Sequence, residues 1–480
     1  MSDYEFDEGN LSEFSDEYVR NSIEEYRRTQ AAGNTSDIAN AFSPEFLESA
    51  ARHYIQVAKF DEALEFVEAL LAHRPYSADA QRLKALVLMN LERKIEALET
   101  LEKAYVLYPE DDETLFVHAS ILEFFGEIAA AVELYDKLLA QDQQNEEARF
   151  NKGLVLSKSG RLHDAIATFR PLFESAEYST DAISESAICY DELKQYDLAI
   201  KLYRRCIDAE PFDWNIWFNL AVTYCHAEQF NNAIECYDFA LALNEKFAPS
   251  WYNKANALCD IGRLAEAIVC YSEALRYDAG DGVVWHNLGS TYQESGEFTP
   301  AVAAFSRAIE ILPQHYDSLY SRGACYDALE QYDKAIDDYD AALSIKSDEP
   351  DAWCAKGDAF YNSSMFDKAL DCYRHAVELD AQNAERWFDY GSALFELDKT
   401  DEAHLAFTRV IELSPNWSEG YYALAKVMIS MEILDQATAL LLQAIRIEPN
   451  KFSELFSDFA LIAEPSAIRA IIRKLSNFTI

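Results

Sequence analysis

The chain has 480 residues, with 84 acidic against 41 basic side chains and a formal net charge of −43. A surface this negative repels nucleic-acid phosphates and anionic lipid headgroups, which argues against binding to nucleic acids or to membrane surfaces. The nine cysteines include no CxxC pair and predict reduced thiols in a cytoplasmic protein.

Residues 1–43 form an acidic leader. The leader carries ten acidic and three basic residues, and its first fifteen residues are expected to be disordered. Ser15 to Arg28 is predicted to form one helix that caps the array that follows. The opening MSDYEFDEGN has neither a basic flank nor an apolar core, so no signal peptide is expected, and no apolar run is long enough for a membrane helix.

Residues 44–451 repeat with a period of 34 residues. One column of the repeat is always alanine: Ala63, Ala97, Ala131, Ala165, Ala199, Ala233, Ala267, Ala301, Ala335, Ala369, Ala403 and Ala437. A second column, twelve residues earlier, is always alanine or glycine: Ala51, Ala85, Ala119, Gly153, Ala187, Ala221, Ala255, Gly289, Gly323, Gly357, Gly391 and Ala425. A period that persists through twelve units without an insertion indicates an array of similar structural units.

Each unit is predicted to contain two helices, because its apolar residues follow the helical period rather than alternating. In the unit that begins at Trp251, the first helix is predicted to run to Asp260 and to stop at a left-handed Gly262. The second helix is predicted from Leu264 to Arg276. The two columns of small residues allow such paired helices to approach to about 8–10 Å.

This pattern resembles the tetratricopeptide repeat family. Besides the two small columns, tryptophans open the first helices of five units: Trp217, Trp251, Trp285, Trp353 and Trp387. Large aromatic residues occupy the second helices: Tyr203, Tyr237, Tyr271, Phe305, Tyr339, Tyr373 and Phe407. The resemblance covers twelve units and extends to uncharacterised bacterial members of the family. It implies an all-α fold, a right-handed superhelical α-solenoid of antiparallel helix pairs whose first helices line a concave groove.

Two segments depart from the pattern. Pro171 falls inside the predicted second helix of the fourth unit, so that helix is expected to break or kink, with an irregular stretch over Phe169–Tyr178. Residues 452–480 lack the repeat alanine and are predicted to form C-terminal capping helices, because the last unit of a solenoid would otherwise expose an apolar face.

The candidate binding residues lie on the predicted first helices, where side chains free of packing would face the groove. Carboxamides match the C=O and N–H groups of an extended peptide, neighbouring rings can form side-chain pockets, and acids can select lysine or arginine. The candidates are Asn151, Asn219, Asn253, Asn256, Asn287, Phe218, Tyr252, His286, Tyr320, Asp260 and Glu294. Asp327 and Asp358 are further acids on these helices. Asn and Tyr are also the family's common residues at these places, and scattered acids are usually solvated, so packing and solubility explain the same residues equally well.

The sequence favours a non-catalytic scaffold that binds a partner protein or an extended, basic peptide in the groove. The alternative is a structural protein that self-assembles through its convex face or its terminal caps, and the oligomeric state is left open. Since no nucleotide-binding, hydrolase or zinc motif is present, no enzyme activity, cofactor, metal site or small-molecule substrate is expected.

Overall fold

The repeated small residues lie where paired helices approach most closely. The structure, a computed structural model, describes residues 16–31, 38–109 and 111–448. All twelve alanines of the first column are fully buried. At Gly289, in the second column, an added Cβ would lie 2.8 Å from Cδ1 of Phe305. The large aromatic residue of the second helix therefore fills the space that the small residue of the first helix leaves open.

The helices fall into two units, residues 1–243 and 244–480. Unit 1 contains α1 (Asp16–Ala31), α2 (Ile38–Ala41), α3 (Pro44–Gln56), α4 (Phe60–His73), α5 (Ala78–Asn90), α6 (Lys94–Leu107), α7 (Asp112–Phe124), α8 (Ile128–Gln141), α9 (Glu146–Lys158), α10 (Leu162–Phe169), α11 (Ser179–Glu192), α12 (Tyr196–Ala209), α13 (Trp214–His226) and α14 (Phe230–Leu243). Unit 2 contains α15 (Ala248–Asp260), α16 (Leu264–Tyr277), α17 (Gly282–Glu294), α18 (Phe298–Ile311), α19 (Tyr316–Ala328), α20 (Tyr332–Ile345), α21 (Pro350–Asn362), α22 (Phe366–Leu379), α23 (Ala384–Glu396), α24 (Thr400–Leu413), α25 (Ser418–Ser430) and α26 (Leu434–Ile447).

From α3 onward, consecutive helices pair as the first and second helix of a repeat. No strand occurs in the described part of the chain, so the prediction of an all-α fold of helix pairs is confirmed. Helices α15 and α16 match the predicted pair closely, except that α15 begins at Ala248, ahead of Trp251. None of the helices within the described ranges is long and apolar enough to cross a membrane.

A left-handed residue separates the two helices of every repeat. Gly262 has φ +73°, as predicted, and three other glycines occupy the same place. In the remaining repeats a residue with a side chain takes this conformation: Ala58, Glu92, Lys194, Glu228, Glu330, Ser364, Asp398 and Glu432. The turn geometry is thus set by the helix pair, and glycine is favoured but not required there.

The tryptophans that open first helices tie each of those helices to the preceding turn. In each of the five cases the indole Nε1 donates a hydrogen bond to the backbone carbonyl six residues earlier. For Trp251 the acceptor is the carbonyl of Glu245, at 2.9 Å. The tryptophan is therefore both a packing residue and a hydrogen-bond donor to the turn that precedes its helix.

The irregularity predicted at Pro171 is confirmed. Helix α10 ends at Phe169, a 3₁₀ turn follows at Arg170–Glu174, and α11 begins at Ser179. Ser175 Oγ accepts the backbone N–H of Tyr178 at 3.0 Å, which fixes the connection. The proline lacks an N–H and cannot continue the α-helical hydrogen bonding, so this second helix is shortened.

Helix α1 covers the helix predicted for the leader, apart from Ser15. Its apolar residues Val19, Ile23 and Tyr26 are buried in a core that includes Phe46 and Leu47 of α3. The expected disorder of residues 1–15 and the expected capping helices of residues 452–480 lie outside the described residues.

Candidate functional site

The first helices of unit 2 form one continuous face. Helices α17, α19, α21, α23 and α25 contact one another in succession, more closely than the second helices do. The first-helix face of unit 2 is defined by half-buried side chains on α15 to α23: Tyr252, Asn253, Asn256, His286, Asn287, Tyr320, Asp327, Asp358 and Asp389. This face contains most of the predicted binding residues.

Three of the predicted residues bind one another rather than standing free. Asn287 Nδ2 donates to the hydroxyl of Tyr252 at 3.1 Å and lies 3.5 Å from Oδ1 of Asn256. The hydroxyl of Tyr271 donates to the same Oδ1 at 2.5 Å. These polar groups are already partly satisfied within the fold, so the carboxamides of Asn256 and Asn287 are less available to a ligand than the sequence suggested.

Asn253 differs from its neighbours, because its half-buried carboxamide has no hydrogen-bond partner among the described residues. It lies one residue after Tyr252, whose ring packs 6.1 Å from that of Tyr271. Tyr320 stacks on Tyr316 with ring centroids 6.0 Å apart. Asn253 thus offers free donors and acceptors next to an aromatic surface, which suits a peptide backbone.

Asp260 and Glu294 are placed less favourably. Each is the exposed last residue of its helix, α15 and α17 respectively, and neither forms an ion pair with a described residue. At such positions a carboxylate remains fully solvated and attracts a cation only weakly.

Three other acids form a diagonal row across successive first helices. Asp327, Asp358 and Asp389 are 31 residues apart, the same step that brings Asn287 to Asn256. None of the three makes an ion pair with a described residue, although Asp358 accepts a hydrogen bond from the hydroxyl of Tyr373 at 2.7 Å. Oδ1 of Asp327 is buried without a hydrogen-bond partner among the described residues.

Burial and mutual repulsion shift these acids toward the protonated form. Burial raises the pKa of Asp327, and burial followed by the charge of Asp327 raises the pKa of Asp358. Burial, together with the charges of Asp358 and Glu385, raises the pKa of Asp389 to about 7, against a weaker opposing effect of Arg386. The ionised form of these carboxylates is therefore destabilised by burial and by mutual repulsion, and a nearby cation would stabilise it.

His286 faces the following repeat. Its Nδ1 lies 3.0 Å from Oγ of Ser318, and its ring packs 5.5 Å from that of Phe305. Burial lowers the pKa of His286, and nearby His315 lowers it further. His286 is thus held in the first-helix face of unit 2 by contacts on both sides.

The remaining predicted residues belong to unit 1. Asn151 Nδ2 donates to the backbone carbonyl of Glu147 in its own helix, at 2.9 Å, so this carboxamide is not free. Asn219 is half-buried and has no hydrogen-bond partner among the described residues, and the neighbouring ring of Phe218 lies 6.0 Å from that of Tyr237. The predicted column of Asn219, Asn253 and Asn287 includes residues of both units and stays a prediction.

Sequence inspection missed several residues of the candidate site. Asp389 carries the largest pKa shift of the row, and the 31-residue spacing from Asp358 was the signal that could have found it. Ser318 and His315, which fix His286, lie at the start of α19 and in the turn before it, outside the columns that define the repeat. Within the described residues, no group of three or more His, Cys, Asp or Glu side chains is arranged to hold a metal ion.

Family models of tetratricopeptide repeats match most of the repeat region. The model of the N-terminal tetratricopeptide region of Psidin matches residues 53–151 and 126–242. Other tetratricopeptide models match residues 248–281, 283–315, 316–349 and 354–416. This chain is a tetratricopeptide repeat protein. Among curated proteins, no sequence matches it.

Solved tetratricopeptide proteins resemble parts of this chain or most of it. YrrB, described as having an unusual peptide-binding site, is 24% identical over 39% of this chain and 97% of its own, with a TM-score of 0.36. A repeat protein from Cytophaga hutchinsonii is 20% identical over 50% of this chain and 98% of its own, with a TM-score of 0.45. The Cut9 assembly with Hcn1 is 16% identical over 92% of this chain and 96% of the matched chain, with a TM-score of 0.38.

Tetratricopeptide repeats generally form scaffolds that mediate protein–protein interaction, and the family is typically non-catalytic. The family does not fix the partner, because one fold supports many unrelated sites. The kind of partner must therefore be inferred from the side chains of the first-helix face of unit 2.

Proposed function

We propose that this protein is an interaction scaffold whose first-helix face of unit 2 binds an extended partner segment that carries lysine or arginine. The observation that carries the proposal is the row of Asp327, Asp358 and Asp389, three half-buried carboxylates without an ion-pair partner among the described residues.

A half-buried carboxylate without a counter-charge is unfavourable, because burial removes solvent that would stabilise its charge. An ammonium or guanidinium group placed beside Asp389 would restore that stabilisation and hold the carboxylate ionised. The net charge of −43 would also attract a basic segment from a distance. Both effects favour the same class of partner.

The segment is expected to be extended, since the acids come from successive first helices and not from one pocket. The free carboxamide of Asn253 would bind the backbone of that segment, and the half-buried ring of Tyr320 would contact its side chains. Asn256, Asn287 and Tyr252 contribute mainly by holding α15 and α17 together.

The test uses two short blocked peptides, one of alternating lysine and alanine (the lysine probe) and one of alternating glutamate and alanine. Binding to the full chain is followed by fluorescence anisotropy at near-physiological salt. We expect the lysine probe to bind and the glutamate probe not to bind. The double variant Asp358→Asn/Asp389→Asn should weaken lysine-probe binding by about tenfold or more, which corresponds to loss of charge-assisted contacts.

The matched control is Asp333→Asn/Asp337→Asn, which removes two charges from exposed positions on the second helix α20. It should leave the affinity within about twofold, as expected for distant solvated charges. Equal weakening by the control and by the double variant would mean that only the overall charge matters, and would contradict a site on the first-helix face of unit 2.

A further inference from the structure

Two imidazoles in unit 2 share one serine hydroxyl. Nδ1 of His286 lies 3.0 Å from Oγ of Ser318, and Nδ1 of His315 lies 2.7 Å from the same atom. The two rings are edge to face with centroids 4.9 Å apart. Ser318 is fully buried, so its hydroxyl has no access to solvent as an alternative partner.

The role of His315 as a helix cap determines which of its two ring nitrogens carries the hydrogen. The backbone N–H of Ser318 donates to Nδ1 of His315 at 3.3 Å, which caps the start of α19. An imidazole nitrogen accepts a hydrogen bond only through the in-plane lone pair that it has when it carries no hydrogen, so neutral His315 has its hydrogen on Nε2. Oδ2 of Asp317, 4.0 Å from that Nε2, favours the same arrangement.

The tautomer of His286 follows from this assignment. Since Nδ1 of His315 only accepts, the hydroxyl hydrogen of Ser318 points to it. Oγ of Ser318 then has lone pairs but no hydrogen to offer His286, so Nδ1 of His286 must be the donor. The unprotonated nitrogen of His286 is therefore Nε2, which has no hydrogen-bond partner among the described residues.

We propose that His286 makes partner binding at the first-helix face of unit 2 sensitive to pH, with Nε2 as the atom that gains the proton. This inference rests on the proposed function. When His286 is neutral, Nε2 accepts a hydrogen bond from a donor of the bound segment. When Nε2 is protonated, it can no longer accept, and its positive charge repels a basic segment.

The serine bridge allows this change without loss of the fold, because Nδ1 of His286 donates to Ser318 in both protonation states. The titratable groups that act on His286 are His315, in the turn before α19, and Asp317 in α19, while α18 presents the uncharged ring of Phe305. Burial and His315 oppose the charged form and Asp317 favours it. Because burial lowers the pKa of His286, binding is expected to weaken as the pH falls below the range in which most histidines gain their charge.

The first test needs no partner. In the full chain with isotope-labelled histidines, nitrogen chemical shifts report the tautomer of each ring, and loss of one signal in His286→Gln assigns His286. At about pH 7.5 we expect the hydrogen of His286 on Nδ1, and Ser318→Ala should abolish that preference. A hydrogen on Nε2 of His286 in the unmodified chain would overturn the inference.

The second test compares lysine-probe affinity at about pH 7.5 and about pH 5.5 for the unmodified chain and His286→Gln, whose amide hydrogen-bonds but does not titrate. Protonation of Asp389 weakens binding in both proteins and cancels in the comparison. We expect the unmodified chain to lose about threefold more affinity than the variant, because burial lowers the pKa of His286 and leaves only part of it protonated at the lower pH.

Equal losses in the two proteins would overturn the pH role of His286 and leave the proposed function intact. Failure of the lysine probe to bind at the higher pH would refute the proposed function, and the pH inference with it.

Discussion

The indole Nε1 of Trp285 donates a hydrogen bond to the backbone carbonyl of Ala279, 3.1 Å away, and so joins helix α17 to the turn that precedes it. The same contact recurs wherever a tryptophan opens a first helix. The recurring tryptophan therefore stabilises the connection between one repeat and the next.

Trp285→Phe is expected to destabilise the chain by about 0.5–1.5 kcal/mol, because it removes the hydrogen bond to the solvent-exposed carbonyl of Ala279. The measurement is the midpoint of urea denaturation. Trp417 provides the control, since its ring packs 5.0 Å from that of Phe388 but its indole has no hydrogen-bond partner among the described residues. Equal losses in Trp285→Phe and Trp417→Phe would show that ring size, and not the hydrogen bond, matters.

Gly289→Leu is expected to cost about 1–3 kcal/mol through overpacking. Even a Cβ at this position would meet the Phe305 ring at 2.8 Å, and a leucine is larger still. A second substitution, Phe305→Leu, should recover part of the loss by giving the new side chain room. If the double variant is less stable than the sum of the two single changes predicts, the contact between these two residues is not the cause.

Glu330→Gly is expected to stabilise the chain by about 0.5–1 kcal/mol, because Glu330 has φ +58° and glycine adopts this conformation without strain. At the equivalent place in another repeat, Gly262→Val should destabilise the chain, since a β-branched residue is disfavoured at φ +73°. Both are read from urea midpoints. A loss of stability in Glu330→Gly would mean that the glutamate side chain makes a stabilising contact.

The helix pairs and the candidate site differ in how much the sequence could predict. The alanine and glycine columns and Gly262 reflect local helix packing and turns, so the sequence predicted the helix pairs. In the pair α15 and α16, the start of α15 was placed too late. The hydrogen bonds of Asn287 to Tyr252 and Asn256 join different repeats. They depend on the rotation of one helix relative to the next, which a repeat period does not specify. The cap formed by His315 lies at a repeat position where other first helices begin with Ser, Asp or Asn, such as Ser77 and Asp281, and histidine is an uncommon residue for this role.

Asp389→Asn is expected to stabilise the chain at about pH 8 by on the order of 2 kcal/mol and to have little effect near pH 4. Burial raises the pKa of Asp389 from 3.8 to about 7, so the folded chain binds this proton more tightly than the unfolded chain. In the unmodified chain, the stability that protonated Asp389 contributes is fully present below its pKa in the unfolded chain. That contribution is lost as the pH rises toward its pKa in the folded chain. Urea midpoints at both pH values check this.

Asp337→Asn alone, on the exposed side of α20, is the control for this single substitution and should change stability little at either pH. If Asp389→Asn changes stability by the same amount at both pH values, the carboxyl does not titrate abnormally and the destabilisation attributed to the row of acids is absent.

The most direct test of the proposed function locates a bound basic segment on the chain. The lysine probe would carry a benzophenone, and cross-linked peptides from the full chain would be identified by mass spectrometry. We expect cross-links on α19, α21 and α23, near Asp327, Asp358 and Asp389, that disappear in Asp358→Asn/Asp389→Asn. Cross-links confined to the second helices α20, α22 and α24, or unchanged in the variant, would contradict the proposed function.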